Sequence, residues 1–257
     1  MLPETKTITN QSRKQKQLVI TVSKLKKAFG SNIVLNDFSF TLNKAENVVV
    51  LGKSGSGKSV FIKCIIKLLE PDSGSIEVLG ENIADLSLDD LDRLRVKIGF
   101  LFQSNALYDS MTVRENLEFP LRRSWIEVTQ EEMNSMVMEA LKNVGLEYTV
   151  DMMPIELSGG MRKRIALART LILKPEIILY DEPTTGLDPI TGREISELMI
   201  EIQKKYNTSS LIISHDMKCI KLTADRIVVL IDGRCYAEGT YSDLENSKDK
   251  KVKQFFE

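Results

Sequence analysis

One short glycine-rich segment constrains the fold of this chain more than any other feature of its sequence. Residues 52–59 read Gly-Lys-Ser-Gly-Ser-Gly-Lys-Ser and fit the pattern G-x-x-x-x-G-K-S/T at every fixed position. An apolar strand pattern at residues 48–51 precedes the segment, and a helical pattern at residues 59–69 follows it. A strand, a glycine-rich turn and a helix in this order predict a phosphate-binding loop rather than a chance turn.

The residue types of this loop suit phosphate chemistry. Glycines let backbone N–H groups curl around phosphates where a Cβ would block the approach, and the following helix directs its positive end at the anion. We expect Lys58 to reach the β- and γ-phosphates as a catalytic group, and the Ser59 hydroxyl to ligate Mg²⁺. The predicted nucleotide-binding residues of the loop are Gly52, Ser54, Gly55, Ser56, Gly57, Lys58, Ser59 and Val60.

A second strand pattern ends in two carboxylates. Residues 177–182 read Ile-Ile-Leu-Tyr-Asp-Glu. Ligand sites of parallel α/β sheets lie beyond the carboxyl ends of the strands. We therefore expect Asp181 to hold Mg²⁺, through water, and Glu182 to orient and deprotonate the attacking water. The alternative is that both acids cap the next helix, but the phosphate loop upstream favours the catalytic interpretation.

Strand and helix patterns alternate along the chain and predict an α/β fold with a largely parallel sheet. The pattern indicates an α-helical subdomain inserted into this α/β core. Predicted strands cover residues 18–22, 34–42, 47–51, 75–79, 177–180, 209–213 and 227–231, and one helical pattern covers residues 120–145. The expected boundaries are a disordered tail at 1–17, a core at 18–103 and 171–257, and the helical subdomain at 104–170.

Composition limits the partners. The 257 residues carry a net charge of −1, which gives no bulk attraction to nucleic acid, so we expect no nucleic-acid partner. Three scattered cysteines without a C-x-x-C pair indicate buried thiols in a reducing compartment. No apolar run is long enough to span a bilayer, and no apolar segment typical of a signal peptide follows the basic N-terminus. We expect a cytoplasmic protein that works at a membrane only through a partner.

A second glycine motif indicates which kind of nucleotide enzyme this is. Residues 157–160 read Leu-Ser-Gly-Gly and run directly into a strongly helical stretch at residues 162–173, which disfavours a flexible linker. Ser158 can cap a helix that begins at Gly159 and Gly160, and the start of that helix would face a γ-phosphate. This motif resembles the signature of ATP-binding-cassette (ABC) ATPases, and the order of all motifs agrees.

The resemblance covers residues 18–241 and implies a P-loop NTPase core with a parallel sheet, an N-terminal antiparallel β subdomain and an inserted α-helical signature subdomain. It also implies further residue roles. In the family, a histidine in the position of His215 contacts the γ-phosphate, and Gln103 corresponds to the glutamine that touches Mg²⁺. Asp188 matches the D-loop, and Phe29 lies where an aromatic ring stacks on adenine. The resemblance implies ATP hydrolysis by a homodimer in which Ser158, Gly159 and Gly160 of one copy close over the nucleotide held by the other.

The segment after Gln103 and the signature itself indicate a subtype. Residues 99–122 and Met161, where most family members carry glutamine, resemble the ATPase of Mce-associated, Mla-type lipid transporters. This implies phospholipid transport between envelope membranes, an integral membrane permease and an Mce-domain protein as partners, and a peripheral position on the cytoplasmic face of the inner membrane. The ATPase of a small-solute importer and a cell-division signalling ATPase remain alternatives.

Overall fold

The computed structural model describes residues 17–124 and 126–257, so the tail predicted for residues 1–17 lies outside the described residues except for Gln17. Within these residues the strands are β1 (Leu18–Phe29), β2 (Asn32–Asn43), β3 (Asn47–Leu51), β4 (Ser73–Val78), β5 (Glu81–Asn82), β6 (Ile98–Leu101), β7 (Ile177–Asp181), β8 (Ser209–Ile213), β9 (Arg226–Ile231) and β10 (Arg234–Gly239). The helices are α1 (Lys58–Ile65), α2 (Leu88–Val96), α3 (Val113–Arg123), α4 (Gln130–Asn143), α5 (Gly159–Leu171), α6 (Pro189–Tyr206), α7 (Met217–Thr223), α8 (Tyr241–Glu245) and α9 (Lys250–Lys253).

Two sheets organise the domain. The larger sheet has the order β10-β9-β3-β8-β7-β6, in which all pairs are parallel except β10 with β9. The smaller sheet, β2-β1-β4-β5, is antiparallel. These sheets confirm the predicted α/β class with a largely parallel core and an antiparallel N-terminal part. The parallel strands β3, β7 and β8 are buried along their whole length, which explains their continuous apolar sequences.

The core has two halves, one on each face of the larger sheet. Alternate residues of β3 enter different halves because side chains of a strand alternate between its faces. Val49 and Leu51 pack with helices α3 to α6, whereas Val48 and Val50 pack with α1 and the antiparallel sheet. Of the three cysteines, Cys64 and Cys219 are buried, as predicted. Cys235 is only half-buried, so the prediction of a buried thiol is wrong for this residue.

The helical stretch predicted across residues 120–145 is two helices in the structure. Helix α3 ends at Arg123, Ser124 is extended, and α4 begins at Gln130. A capping box starts α4: the Thr129 hydroxyl accepts a hydrogen bond from the Glu132 N–H (3.2 Å), and the Glu132 carboxylate accepts one from the Thr129 N–H (2.8 Å). The reciprocal cap satisfies N–H groups at the start of α4, so the predicted helical stretch is divided into two helices.

Strand β6 was not predicted from the sequence, yet it positions part of the site. Its four residues pair in parallel with β7, and Gln103 follows two residues after the strand ends. Gly99 lets helix α5 approach this strand closely, since a Cβ there would lie 2.6 Å from Thr170 Cγ2. The result is a rigid contact between α5 and the strand that leads to Gln103.

Candidate nucleotide site

The glycine-rich loop joins the end of β3 to the start of α1. Gly55 and Gly57 have φ angles of 77° and 103°, in the left-handed region that favours glycine. A Cβ on Gly57 would also lie 2.8 Å from Val34 Cγ1 and 2.9 Å from the Val34 carbonyl oxygen. The loop therefore needs glycine at residue 57 for both its backbone conformation and its close packing against β2.

Lys58 is buried in this loop, with 7% of its surface exposed. Its ammonium donates hydrogen bonds to the carbonyl oxygens of Gly52 (2.7 Å) and Lys53 (3.0 Å). Burial lowers the pKa of Lys58, and the charges of Glu182 and Asp181 oppose that shift. The loop thus holds a buried cation beside two carboxylates, where it can bind phosphate oxygens.

An unpaired hydroxyl provides a test of whether phosphate fits this loop. Ser56 Oγ is buried and has no hydrogen-bond partner among the residues that the structure describes. A buried hydroxyl without a partner is costly, and native proteins rarely leave one. Ser56 lines a neighbouring cavity with Lys53 and Leu230, and not the cavity that contains Lys58 and Glu182, so this hydroxyl by itself does not show that phosphate fits the loop.

The end of β7 places a carboxylate beside Ser59. Asp181 is 8% exposed, and its Oδ1 accepts a hydrogen bond from Ser59 Oγ at 3.3 Å. Burial is the main cause that raises the pKa of Asp181, the Ser59 hydrogen bond opposes it, and the charge of Glu182 raises it further. A bound cation would offset the burial of the Asp181 charge and its repulsion by Glu182. A hydroxyl with a carboxylate is the oxygen donor set that Mg²⁺ prefers.

The rest of a magnesium coordination sphere has to come from elsewhere. Among residues 17–124 and 126–257, no cluster of three or more His, Cys, Asp or Glu side chains could hold a metal ion by itself. Mg²⁺ typically binds through one or two protein ligands together with substrate phosphates and water. The pair of Ser59 and Asp181 therefore fits Mg²⁺ that arrives with a nucleotide.

Glu182 and His215 form a direct hydrogen-bonded pair. His215 Nδ1 lies 2.8 Å from Glu182 Oε2, and Thr185 Oγ1 donates to the same oxygen at 3.2 Å. When the carboxylate is ionised, this geometry places a proton on Nδ1 of the imidazole. Glu182 also has a left-handed φ of 51°, which is uncommon for a non-glycine residue and often found at functional sites.

Most of the predicted site residues line one cavity of about 770 Å³, but Ser56 and Asp181 do not. Of the predicted site residues, its lining contains Phe29, Gly52, Ser54, Gly55, Gly57, Lys58, Ser59, Val60, Gln103, Glu182 and His215. Phe29 is 49% exposed at the mouth of the cavity, with the Lys27 ammonium 5.5 Å from its ring centroid. The cavity also contains Gln254 and Phe255, which sequence reasoning missed because they follow α9, nearly two hundred residues after the loop.

The signature residues lie apart from this cavity. Ser158, Gly159, Gly160 and Asp188 line a different cavity of about 460 Å³. Ser158 accepts a hydrogen bond from the Met161 N–H (3.2 Å) and so caps α5, as the sequence indicates. Asp188 caps α6 by accepting from the N–H groups of Ile190 (3.0 Å) and Thr191 (3.1 Å). The predicted site residues of a single chain therefore lie in two separate cavities.

Gln103 follows β6 with an exposed side chain, and its backbone is tied to the signature helix. Its carbonyl oxygen accepts a hydrogen bond from the ammonium of Lys163, at 3.2 Å. Sequence reasoning gave Lys163 no role, because only the fold shows that this lysine is buried.

Comparison with known proteins agrees with this geometry. The model of the ABC transporter family matches residues 35–185 of the chain. The chain belongs to the ABC transporter family and carries the ATPase domain of that family, which confirms the prediction of an ABC-type ATP-binding subunit.

Three curated relatives illustrate the range of the family. The probable ribonucleotide transport ATP-binding protein mkl of Mycobacterium tuberculosis (strain H37Rv) is 39% identical over 236 residues, which cover 92% of this chain and 66% of that protein. The intermembrane phospholipid transport system ATP-binding protein MlaF of Haemophilus influenzae is 35% identical over 239 residues, covering 93% of this chain and 90% of that protein. The methionine import ATP-binding protein MetN 2 of Bacillus cereus is 35% identical over 236 residues, which cover 91% of this chain and 69% of that protein. The chain thus spans 66% of the length of the mycobacterial relative.

A solved structure shows the same fold. The dimeric, post-hydrolysis state of the ATP-binding cassette MJ0796, bound to ADP and Pi, matches with a TM-score of 0.77 at 32% identity and covers 86% of this chain and 98% of that chain.

Proposed function

We propose that this chain hydrolyses ATP as one half of a homodimer that closes around two ATP molecules and drives a membrane permease. The observation that carries the proposal is the single cavity that Lys58, Ser59, Glu182 and His215 share, with Asp181 hydrogen-bonded to Ser59 at its base. A buried cation, a hydroxyl with a carboxylate, and a second carboxylate paired with an imidazole are the groups that phosphoryl transfer to water requires.

The chemistry assigns a task to each side chain. Glu182 takes a proton from a water molecule while the water oxygen forms a bond to the γ-phosphorus. The bond from that phosphorus to the β–γ bridging oxygen breaks, and ADP leaves with the electron pair. Lys58 stabilises charge on the β- and γ-phosphates, and His215 orients Glu182 and contacts the γ-phosphate.

The remaining cavity residues bind and orient the substrate. Phe29 stacks on adenine, and the phosphate loop holds the phosphates with backbone N–H groups. Ser59, Asp181 and Gln103 are the residues that would hold Mg²⁺. When bound, Mg²⁺ neutralises charge on the phosphates.

The separation of the two cavities supports the dimer. Within one chain, Ser158 and Asp188 line a cavity that Lys58 does not reach. The start of α5, capped by Ser158, has free N–H groups suited to a γ-phosphate that a second copy presents. A dimer that faces the two cavities toward each other completes two sites.

We propose phospholipid, moved between envelope membranes, as the cargo. The support is the likeness to a relative named as an intermembrane phospholipid transport ATPase over 93% of this chain, together with the Met161 variant of the signature. None of the helices within residues 17–124 and 126–257 has both the length and the apolar character that crossing a bilayer requires. The proposed position is therefore peripheral, on the cytoplasmic face of the inner membrane, held by an integral permease with an Mce-domain partner.

Purification of the chain from gently solubilised membranes, followed by mass spectrometry of proteins and lipids, tests the cargo. We expect a multispanning permease, a protein of the Mce type and bound phospholipid. A solute permease without lipid would favour the importer alternative, for which the 35% identity to a methionine import ATPase is the supporting observation. A cell-division membrane protein in place of a permease would contradict transport altogether.

A further inference from the structure

Lys163 is a buried charged group that no step of the proposed reaction uses. It lies on α5, in the turn after Ser158, and only 1% of its surface is exposed. Burial lowers its pKa to about 8, and the nearby charge of Asp181 opposes that shift. A buried ammonium requires hydrogen-bond acceptors to offset its lost hydration.

The acceptors belong to the loop that carries Gln103. The Lys163 ammonium donates to the carbonyl oxygens of Gln103 (3.2 Å) and Phe102 (3.5 Å). These contacts join the helix that begins at the signature to the backbone of a residue in the nucleotide cavity. The ammonium is thus a direct physical link between the signature helix and the nucleotide cavity of one chain.

A second cation of α5 holds the next residues of the same loop. Arg169 donates to the carbonyl oxygens of Ala106 (2.7 Å) and Asn105 (3.2 Å). Together Lys163 and Arg169 bind four carbonyl groups within five residues of chain. We call these two side chains the carbonyl clamp.

The clamped loop has a conformation that its own sequence does not favour. Asn105 and Ala106 have left-handed φ angles of 64° and 51°. Asparagine tolerates this region, but alanine avoids it because its Cβ approaches the backbone carbonyl. Two consecutive residues of this kind persist only where surrounding contacts impose them, and Arg169 provides such contacts.

We infer that the carbonyl clamp makes Lys163 a positioning residue for Gln103. When a second copy's nucleotide docks on the start of α5, any shift of that helix moves the Gln103 backbone with it. The inference rests on the proposed function, since it assigns Gln103 to the nucleotide and its Mg²⁺. It adds that the side chains of Lys163 and Arg169 couple α5 to the Gln103 loop, through hydrogen bonds from their nitrogen atoms to the loop carbonyl oxygens.

Replacement of Lys163 by methionine separates positioning from stability. Methionine keeps an unbranched chain of similar volume but donates no hydrogen bond, so the variant removes the donor and leaves the two carbonyl oxygens in place. If Lys163 only stabilised the fold, the variant would lose thermal stability but keep the wild-type kcat in its folded fraction. Lys174→Met is the matched control, because its side chain is 56% exposed and its ammonium pairs with Glu139, at 3.1 Å.

Hydrogen exchange of the loop is the readout that does not depend on activity. The Asn105 N–H donates to the Phe102 carbonyl oxygen at 3.1 Å, so its exchange reports on the clamped conformation. In Lys163→Met we expect exchange at residues 102–106 to rise about tenfold or more, with the thermal unfolding temperature lowered by at most about 4 °C. Arg169→Met should accelerate exchange in the same loop, which keeps the test decisive if the lysine variant does not fold.

Steady-state ATPase assays of the assembled transporter complete the test. We expect Lys163→Met to lower kcat about tenfold with KM changed less than about threefold, since an interaction made in the transition state is lost. Lys163→Arg, which restores a cation, should recover about half of the wild-type rate. Unchanged exchange or unchanged kcat in Lys163→Met, with an active wild type, would overturn the inference alone. An inactive wild type would instead refute the proposed function.

Discussion

Replacement of Glu182 by glutamine removes the proposed general base with almost no change of shape. The Glu182 side chain is 13% exposed, and Oε2 accepts hydrogen bonds from His215 Nδ1 (2.8 Å) and Thr185 Oγ1 (3.2 Å). A glutamine amide oxygen can accept both bonds, so the pocket keeps its form. An amide cannot take a proton from water at neutral pH, and basicity is the property that is lost.

The size of the effect follows from that single loss. A positioned general base contributes about 10²- to 10⁴-fold to a rate. We expect the lower end at least, because Lys58 and the phosphate loop continue to position the substrate. Turnover should fall about 10²-fold or more, which corresponds to a barrier higher by about 2.7 kcal/mol. ATP affinity should change less than about twofold, because the contacts that bind ATP in the ground state are kept.

Phosphate release under saturating ATP measures the turnover, and titration with a fluorescent ATP analogue measures the affinity. Glu197→Gln is the matched control, because Glu197 lies on α6 and pairs with the exposed side chain of Arg193, at 2.8 Å. The control should hydrolyse ATP at the wild-type rate. Near-normal hydrolysis by Glu182→Gln would refute the assignment of the base.

Three further changes test other parts of the account. Burial raises the pKa of Glu46, but hydrogen bonds from Arg226 and Asn43 outweigh it, so the folded protein holds this pKa below its ordinary value of 4.5. The ion pair of Glu46 with Arg226 (2.9 Å) therefore stabilises the fold fully above that value, and its contribution falls as the pH falls through the lowered pKa. Glu46→Gln should lower the free energy of unfolding by about 2 kcal/mol at pH 7, measured by urea unfolding, and the difference from wild type should disappear in acid. Gly57→Ala places a Cβ 2.8 Å from Val34 Cγ1 at a φ of 103°, and we expect calorimetric titration to show at least about tenfold weaker ATP binding. Phe29→Ala should weaken ATP about tenfold by loss of stacking and leave inorganic triphosphate binding unchanged in the same titration.

Local sequence patterns predicted the parts of the site that are formed by residues close together in the sequence. The phosphate loop needs glycines and a lysine at fixed spacing, and the acidic pair needs only an apolar strand before it. The family model and the fold confirm the class of protein and its α/β architecture. The roles of individual residues, such as Phe29 at adenine and Asp188 in the D-loop, stay predictions.

Features that arise from contacts between distant segments could not be predicted. Strand β6 was not predicted because its four residues, one of which is Gly99, are too few for hydrophobic periodicity to distinguish a strand from the end of a helix. Phe255 enters the cavity only because α8 and α9 fold back toward the phosphate loop. Lys163 looks like any basic residue of a solvated helix until the fold buries it.

Complementation between two inactive variants tests the shared site most directly. Lys58→Ala removes the phosphate-loop cation, and Ser158→Arg blocks the start of α5. A heterodimer of the two, isolated by a different tag on each chain, contains one composite site with both residues intact. We predict that each variant alone is inactive and that the heterodimer hydrolyses ATP at about half the wild-type rate, since one of two symmetric sites is restored. A heterodimer no more active than its parents would contradict the claim that two copies of this chain complete each other's ATP sites.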